Sequence, residues 1–197
     1  MLEQFTTRVV DGLCESGLAA REDAEIYQFG LEAVLLKTFH LLTMLTVGFL
    51  VGMVLQTMLF IIFFSFLRVY AGGFHAKTKT GCWMISWAMT AAVLLGVKAC
   101  PPVRWISPVG VAVCSAVIAA LAPLGCDSKP LDAAETRHYR KTVLILVAVY
   151  AALSSVLFWT NWSFQISFLI FLSELTVSAS LILRKLQLQF AFRFGKY

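Results

Sequence analysis

Charge is scarce in this sequence. Of its 197 residues 14% are charged and 59% are hydrophobic, and the mean hydropathy is +0.81. A soluble domain carries roughly a quarter of its residues as charges and about half as apolar side chains. A chain this poor in charge cannot keep its surface in water, which excludes a soluble enzyme, a disordered tail and a nucleic-acid-binding domain. Cysteine is sparse as well. Cys14, Cys82, Cys100, Cys114 and Cys126 form no C-x-x-C pair, which argues against a disulfide framework and a four-cysteine zinc site. No metal and no cofactor is expected.

Long apolar runs fill the chain instead. A membrane span needs about 20 apolar residues. The stretch Ala33 to Leu67 has only Lys37 and His40 as ionisable interruptions. As one helix it would measure about 53 Å against a hydrocarbon core of about 30 Å. It is therefore read as two helices turning near Gly48 to Gly52, where glycine permits a tight reversal. Further spans are expected from about Cys82 to Ala99, Ile106 to Leu124, Thr142 to Trp159 and Ser163 to Leu183, with Pro101-Pro102 and Asn161-Trp162 as punctuation. The fold class is all-α: a polytopic membrane protein of about six transmembrane helices. In domain terms, 1–30 is an amphipathic cytoplasmic or interfacial segment, 31–183 the six-helix domain, and 184–197 a basic cytoplasmic tail.

In the N-terminal segment Leu2, Phe5, Val9 and Leu13 recur at helical spacing. This fits a helix lying on the membrane surface, and equally a cytoplasmic helix packed on the other loops. The segment lacks the continuous apolar core of a cleaved leader and carries Glu22, Asp23 and Glu25. With six spans, thirteen Lys and Arg fall on one side, among them Arg68, Lys77, Lys79, Lys129, Arg140 and Lys185, while the other side holds Lys98 and Arg104. Lys37 lies just inside the first span and can snorkel. Positive charge marks the cytoplasmic side, so both termini and the loops around 68–81 and 125–141 are expected in the cytoplasm of a multi-pass cell-membrane protein.

One of those loops carries chemistry. Arg68-Val69-Tyr70-Ala71-Gly72-Gly73-Phe74-His75-Ala76-Lys77-Thr78-Lys79-Thr80-Gly81-Cys82 holds a His, a Cys, a Gly pair and three cations. A cysteine nucleophile needs a nearby base or cation to populate its thiolate, and a helix N-terminus helps. Thr78 or Thr80 suits the N-cap of the third span, which would put Cys82 in the first turn, at the positive helix end. In one continuous helix His75 and Cys82 would lie about 10.5 Å apart along the axis, too far for proton transfer. The pair works only if His75 sits on a loop folded back over the helix start, for which Gly72-Gly73 supplies backbone freedom. The bland alternatives are an interfacial His75, a Cys82 that merely fills space, and cations that only set topology. One His and one Cys are too few for zinc. A rival pair, His138 and Cys126, lacks the glycines and an evident helix start.

The segment R-x-x-x-G-G-F-H-A-x-x-x-x-x-C resembles the signature of the accessory gene regulator B family, membrane cysteine endopeptidases of quorum sensing. The likeness extends to length, the six-span pattern, the N-terminal amphipathic helix and the basic loop Ala122-Pro123 … Ser128-Lys129-Pro130-Leu131, where Ser128 stands at a position that is commonly Asn. The resemblance implies His75 and Cys82 as the catalytic pair. Arg68, Gly72, Gly73, Lys77, Lys79, Lys129 and Pro130 take supporting or substrate-binding positions. It also implies a short (AgrD-like) precursor signal peptide as partner, cleaved through a Cys82 thioester and closed into a thiolactone or lactone. The lipid bilayer is the other partner, and a homodimer is left open.

Several roles stay open on sequence alone. Asp127, Asp132 and Glu135 lie in the other loop as candidates to orient His75, and a backbone carbonyl would serve as well. Oxyanion donors are either amides at the start of the third span or Arg68. Arg68 could also pair with an acidic substrate residue or simply snorkel. Glu174, an intramembrane carboxyl group, is either functional or structural. The alternative function is a small peptide transporter or exporter without covalent catalysis, with Glu174 as a coupling residue; it lacks the paired broken helices of many transporters. The charge asymmetry makes the first prediction: cysteines introduced at 98 or 104 should label from outside intact cells, and those at 77 or 129 should not. Strong external labelling at 77 or 129 would reverse the orientation.

Overall fold

The computed structural model describes residues 2–74, 78–99, 105–125, 132–160 and 164–193. Seven α-helices make up the described chain: α1 (Leu2–Glu15), α2 (Ala24–Val51), α3 (Val54–Ala71), α4 (Lys79–Ala99), α5 (Ile106–Leu121), α6 (Ala133–Thr160) and α7 (Phe164–Arg193). Five helical stretches are long and apolar enough to cross a membrane, and α5 is a shorter apolar helix. The chain is an all-α polytopic membrane protein.

Two compact units are present, Met1–Thr46 and Val47–Tyr197, with α2 running across the boundary. In the first, α1 packs on the start of α2. Thr6 Oγ1 donates to Glu32 Oε1 (3.1 Å) and Gln28 Nε2 to Thr7 Oγ1 (3.1 Å). Thr6 and Val10 are buried while Phe5 remains exposed, so part of the apolar stripe stays uncovered.

The second unit begins with the turn expected between Gly48 and Gly52. Gly52 takes φ +72°, and Met53 N–H returns to Gly48 O at 2.8 Å. Gly48 has a different task. A Cβ there would fall 2.7 Å from Thr57 Cβ and closer still to its hydroxyl, so this glycine lets α2 and α3 meet backbone to side chain.

Helix ends follow local chemistry. The fourth span stops at Leu121 rather than at Leu124, because proline pushes the residue before it into extended geometry; Ala122 sits at ψ 151°. The fifth span starts nine residues before Thr142, at Ala133. Asp132 Oδ1 accepts Glu135 N–H (2.6 Å) while Glu135 Oε2 accepts Asp132 N–H (3.4 Å), a reciprocal capping box. The sixth continues past Leu183 to Arg193. These extensions are too polar to be read as membrane span, yet they carry the helices on.

The core lies among α3, α5, α6 and α7, with α7 at its centre. It packs on each of the other three and on α4, and half of its apolar window is buried. Leu67, Val111, Ile118, Val143, Ile170 and Val177 fill the interior. Polar links add direction: Tyr150 Oη donates to Phe63 O at 2.9 Å, and the Ser154 and Ser167 hydroxyls pair at 2.8 Å. The second prediction concerns the close approach at Gly48. Gly48→Ala should destabilise the protein by about 1–3 kcal/mol, the usual cost of overpacking, and adding Thr57→Gly should recover part of it. Thermal melts in detergent read this, and an unchanged melting temperature would mean the two helices separate without loss.

Candidate active site

The informative segment leaves α3 as a short extended stretch. Gly72 ends the helix at φ +72°, its N–H returning to Arg68 O at 3.0 Å, and Gly73 follows at φ +121°. The stretch lies parallel to the chain leaving α5, bridging Gly72 to Leu124. Leu124 N–H donates to Ala71 O (3.0 Å) and Gly73 N–H to Leu124 O (3.4 Å). Phe74 N–H then reaches α7, where it meets Ser180 O at 3.1 Å and Ser180 Oγ at 3.0 Å.

Arg68 closes this arrangement. Its Nη1 donates to Gly72 O and to Ser180 Oγ (2.6 Å), and its Nη2 donates to Phe74 O. A planar guanidinium offers several donors in a fixed fork, and here the fork holds the last turn of α3, its exit and α7 together. The side chain is engaged with the protein rather than reaching out to headgroups. Both glycines are required by the same geometry. A Cβ on Gly72 would overlap Leu124 O, and one on Gly73 would overlap Arg68 Nη1 and fall 2.8 Å from Ser180 Oγ.

Cys82 lies at the start of α4. Thr78 caps this helix: its Oγ1 accepts Gly81 N–H at 3.1 Å and its main-chain O accepts Cys82 N–H at 3.1 Å. Cys82 therefore stands in the first turn, a half-buried free thiol. Because α4 begins at Lys79, the seven-residue spacing along one continuous helix, which would have defeated the chemistry, does not apply. His75 and Lys77 lie outside the described residues, as do Lys129, Pro130 and Cys126; of Lys79 the backbone alone is described.

A family model described as accessory gene regulator B matches residues 6–183. The chain belongs to the accessory gene regulator B family. Neither the curated proteins nor the solved structures gave a match. The family places this multi-pass membrane protein in accessory gene regulator quorum-sensing processing, with a peptide precursor as its substrate.

Other candidates of this family member are placed elsewhere. Glu174 is fully buried in α7, and Ser115 Oγ of α5 lies 2.9 Å and 3.1 Å from its two carboxyl oxygens. It links helices six residues, or about 9 Å of rise, away from Ser180. Asp132 and Glu135 cap the start of α6, each carboxylate accepting the other residue's N–H. His138 sits exposed on α6 beside the Tyr139 ring, and Cys114 is buried in α5.

Sequence reading missed Ser180, the backbone of Leu124 and Ser115. The available signal was weak: polar residues at 178 and 180 in the last apolar turns before Arg184, and a serine inside the most apolar run. The third prediction follows from the fork. Arg68→Lys keeps the charge but cannot hold three acceptors in one plane, and charge-assisted hydrogen bonds are worth about 1.5–3 kcal/mol. Precursor processing should fall about ten- to a hundredfold, and Gly73→Ala should match it. Wild-type processing by Arg68→Lys in proteoliposomes would show that the fork is dispensable.

Proposed function

We propose that the chain is an integral-membrane cysteine endopeptidase with Cys82 as nucleophile and His75 as its acid and base. The observation that carries this reading is the half-buried Cys82 thiol in the first turn of a Thr78-capped helix. It stands beyond a tethered Gly-Gly-Phe segment whose next residue in sequence is His75. Family membership over residues 6–183, which include both residues, supports it.

The Cys82 sulfur attacks a precursor carbonyl and its proton passes to His75. The carbon–nitrogen bond then breaks, and His75 gives that proton to the departing amine. The C-terminal fragment leaves and the rest of the precursor remains as a thioester on Cys82. A thiol or hydroxyl of the precursor attacks this thioester, releases Cys82 and closes a thiolactone or lactone ring. Exchange of one activated acyl bond for another is favoured over hydrolysis where water is kept out. With Arg68 occupied by Gly72, Phe74 and Ser180, the oxyanion donors are assigned to the first-turn amides of α4. There Lys79 and Thr80 precede the residues whose N–H groups an internal carbonyl can take. The positive-inside charge balance supports a cytoplasmic site, on the side where a precursor is made.

The fourth prediction separates this reading from a non-covalent exporter. Cys82→Ala should abolish cleavage, and Cys82→Ser should be nearly as poor, since a hydroxyl beside a lone His is far harder to ionise. His75→Ala should also fail at neutral pH, while iodoacetamide still alkylates its Cys82, only more slowly. Alkylation rates measured against pH for both proteins decide the pairing: identical profiles would mean that His75 does not act on Cys82. Cleavage that survives Cys82→Ala would remove the covalent mechanism altogether.

A further inference from the structure

We propose that Ser180 of α7 is a positioning residue for the reaction, acting through Arg68 and Phe74 on the segment that leads into the catalytic loop. This inference rests on the cysteine-peptidase reading above.

The hydroxyl oxygen of Ser180 receives two donors, Arg68 Nη1 at 2.6 Å and Phe74 N–H at 3.0 Å. A serine hydroxyl has two lone pairs, and both are used by the segment that leads into the catalytic loop. The contact joins residues 112 and 106 positions apart in the chain, so it is no by-product of local helix geometry. Most serines and threonines in these spans bond instead to the carbonyl three or four residues back on their own helix, as Ser155, Thr160 and Ser173 do.

Chemistry also distinguishes Ser180 from a packing residue. Phe74 N–H keeps a second acceptor, the main-chain O of Ser180 at 3.1 Å, and that acceptor does not depend on the side chain. Arg68 likewise keeps Gly72 O and Phe74 O. Removing the hydroxyl therefore leaves the extended stretch attached to α7 but takes away the bond that ties the guanidinium itself to that helix. Gly73, which leaves the space that Arg68 and Ser180 fill, completes the seat. The result is a loss of aim at the residues after Phe74 rather than a loss of fold.

The test compares Ser180→Ala and Ser180→Thr with wild type in proteoliposomes, with a synthetic precursor peptide as substrate. Ser180→Ala should lower kcat about tenfold, the scale of one charge-assisted hydrogen bond, and leave KM within about twofold. It should also alter the dependence of Cys82 alkylation on pH, which a purely structural loss would not do. Ser180→Thr keeps the oxygen and should restore most of the activity. Activity of Ser180→Ala within twofold of wild type would overturn the proposal. So would a loss accompanied by an unchanged alkylation profile and a matching fall in melting temperature. Cys82→Ala run alongside keeps the two readings apart: cleavage by that variant removes the cysteine mechanism, whereas its inactivity beside a normal Ser180→Ala removes the role of Ser180 alone.

Discussion

The arrangement of the site depends on a single cation. A guanidinium at the end of an apolar helix must have acceptors or water, and Arg68 finds its acceptors in Gly72, Phe74 and Ser180. Three of its neighbours' properties follow from that. The chain must double back immediately after Ala71, so Gly72 and Gly73 occupy backbone regions closed to other residues. No side chain fits at 73, because the guanidinium is already there. The segment is also attached to α7, the helix packed on every other helix of the core, so the most constrained element of the bundle fixes the chain as far as Phe74.

The loop after α5 contributes from the opposite side. Pro123 ends that helix, and the freed backbone of Leu124 pairs with Ala71 and Gly73. Polar backbone outside a helix is tolerated at membrane depth only where protein satisfies it. The two non-helical stretches here satisfy each other's backbone groups. Arg140 Nη1 donates to Ala122 O at 3.5 Å and the Tyr70 and Tyr139 rings meet edge to face, so α6 supports the same pairing.

The helices were readable because burial in lipid demands long apolar runs, and the turn at Gly52 and the cap at Thr78 because glycine and threonine act locally. The extension of α6 back to Ala133 was also written in the sequence, as Asp132 and Glu135 in capping-box spacing, but hydropathy alone does not see a polar helix. Arg68 was legible as a cation and illegible as a fork. Its partner Ser180 lies 112 residues away, and no local pattern specifies which helix will be adjacent. The same holds for Glu174, whose partner Ser115 lies on another helix 59 residues away. Contacts between distant polar groups are decided by packing, and a single sequence carries that information only diffusely.

Among the described apolar helices α5 is the shortest. Its 16 residues span about 24 Å, several ångströms less than a typical hydrocarbon core. Neighbouring α6 and α7 have 28 and 30 residues and can meet thick or thin bilayers by tilting. A short helix instead draws the bilayer inward or is pulled by it, at fractions of a kcal/mol per ångström of mismatch. In α5 such a tension would fall on its end at Leu121, which leads directly into Ala122-Pro123-Leu124, the strip paired with the glycines. A change in membrane thickness would then reach the backbone pairing of Leu124 with Ala71 and Gly73.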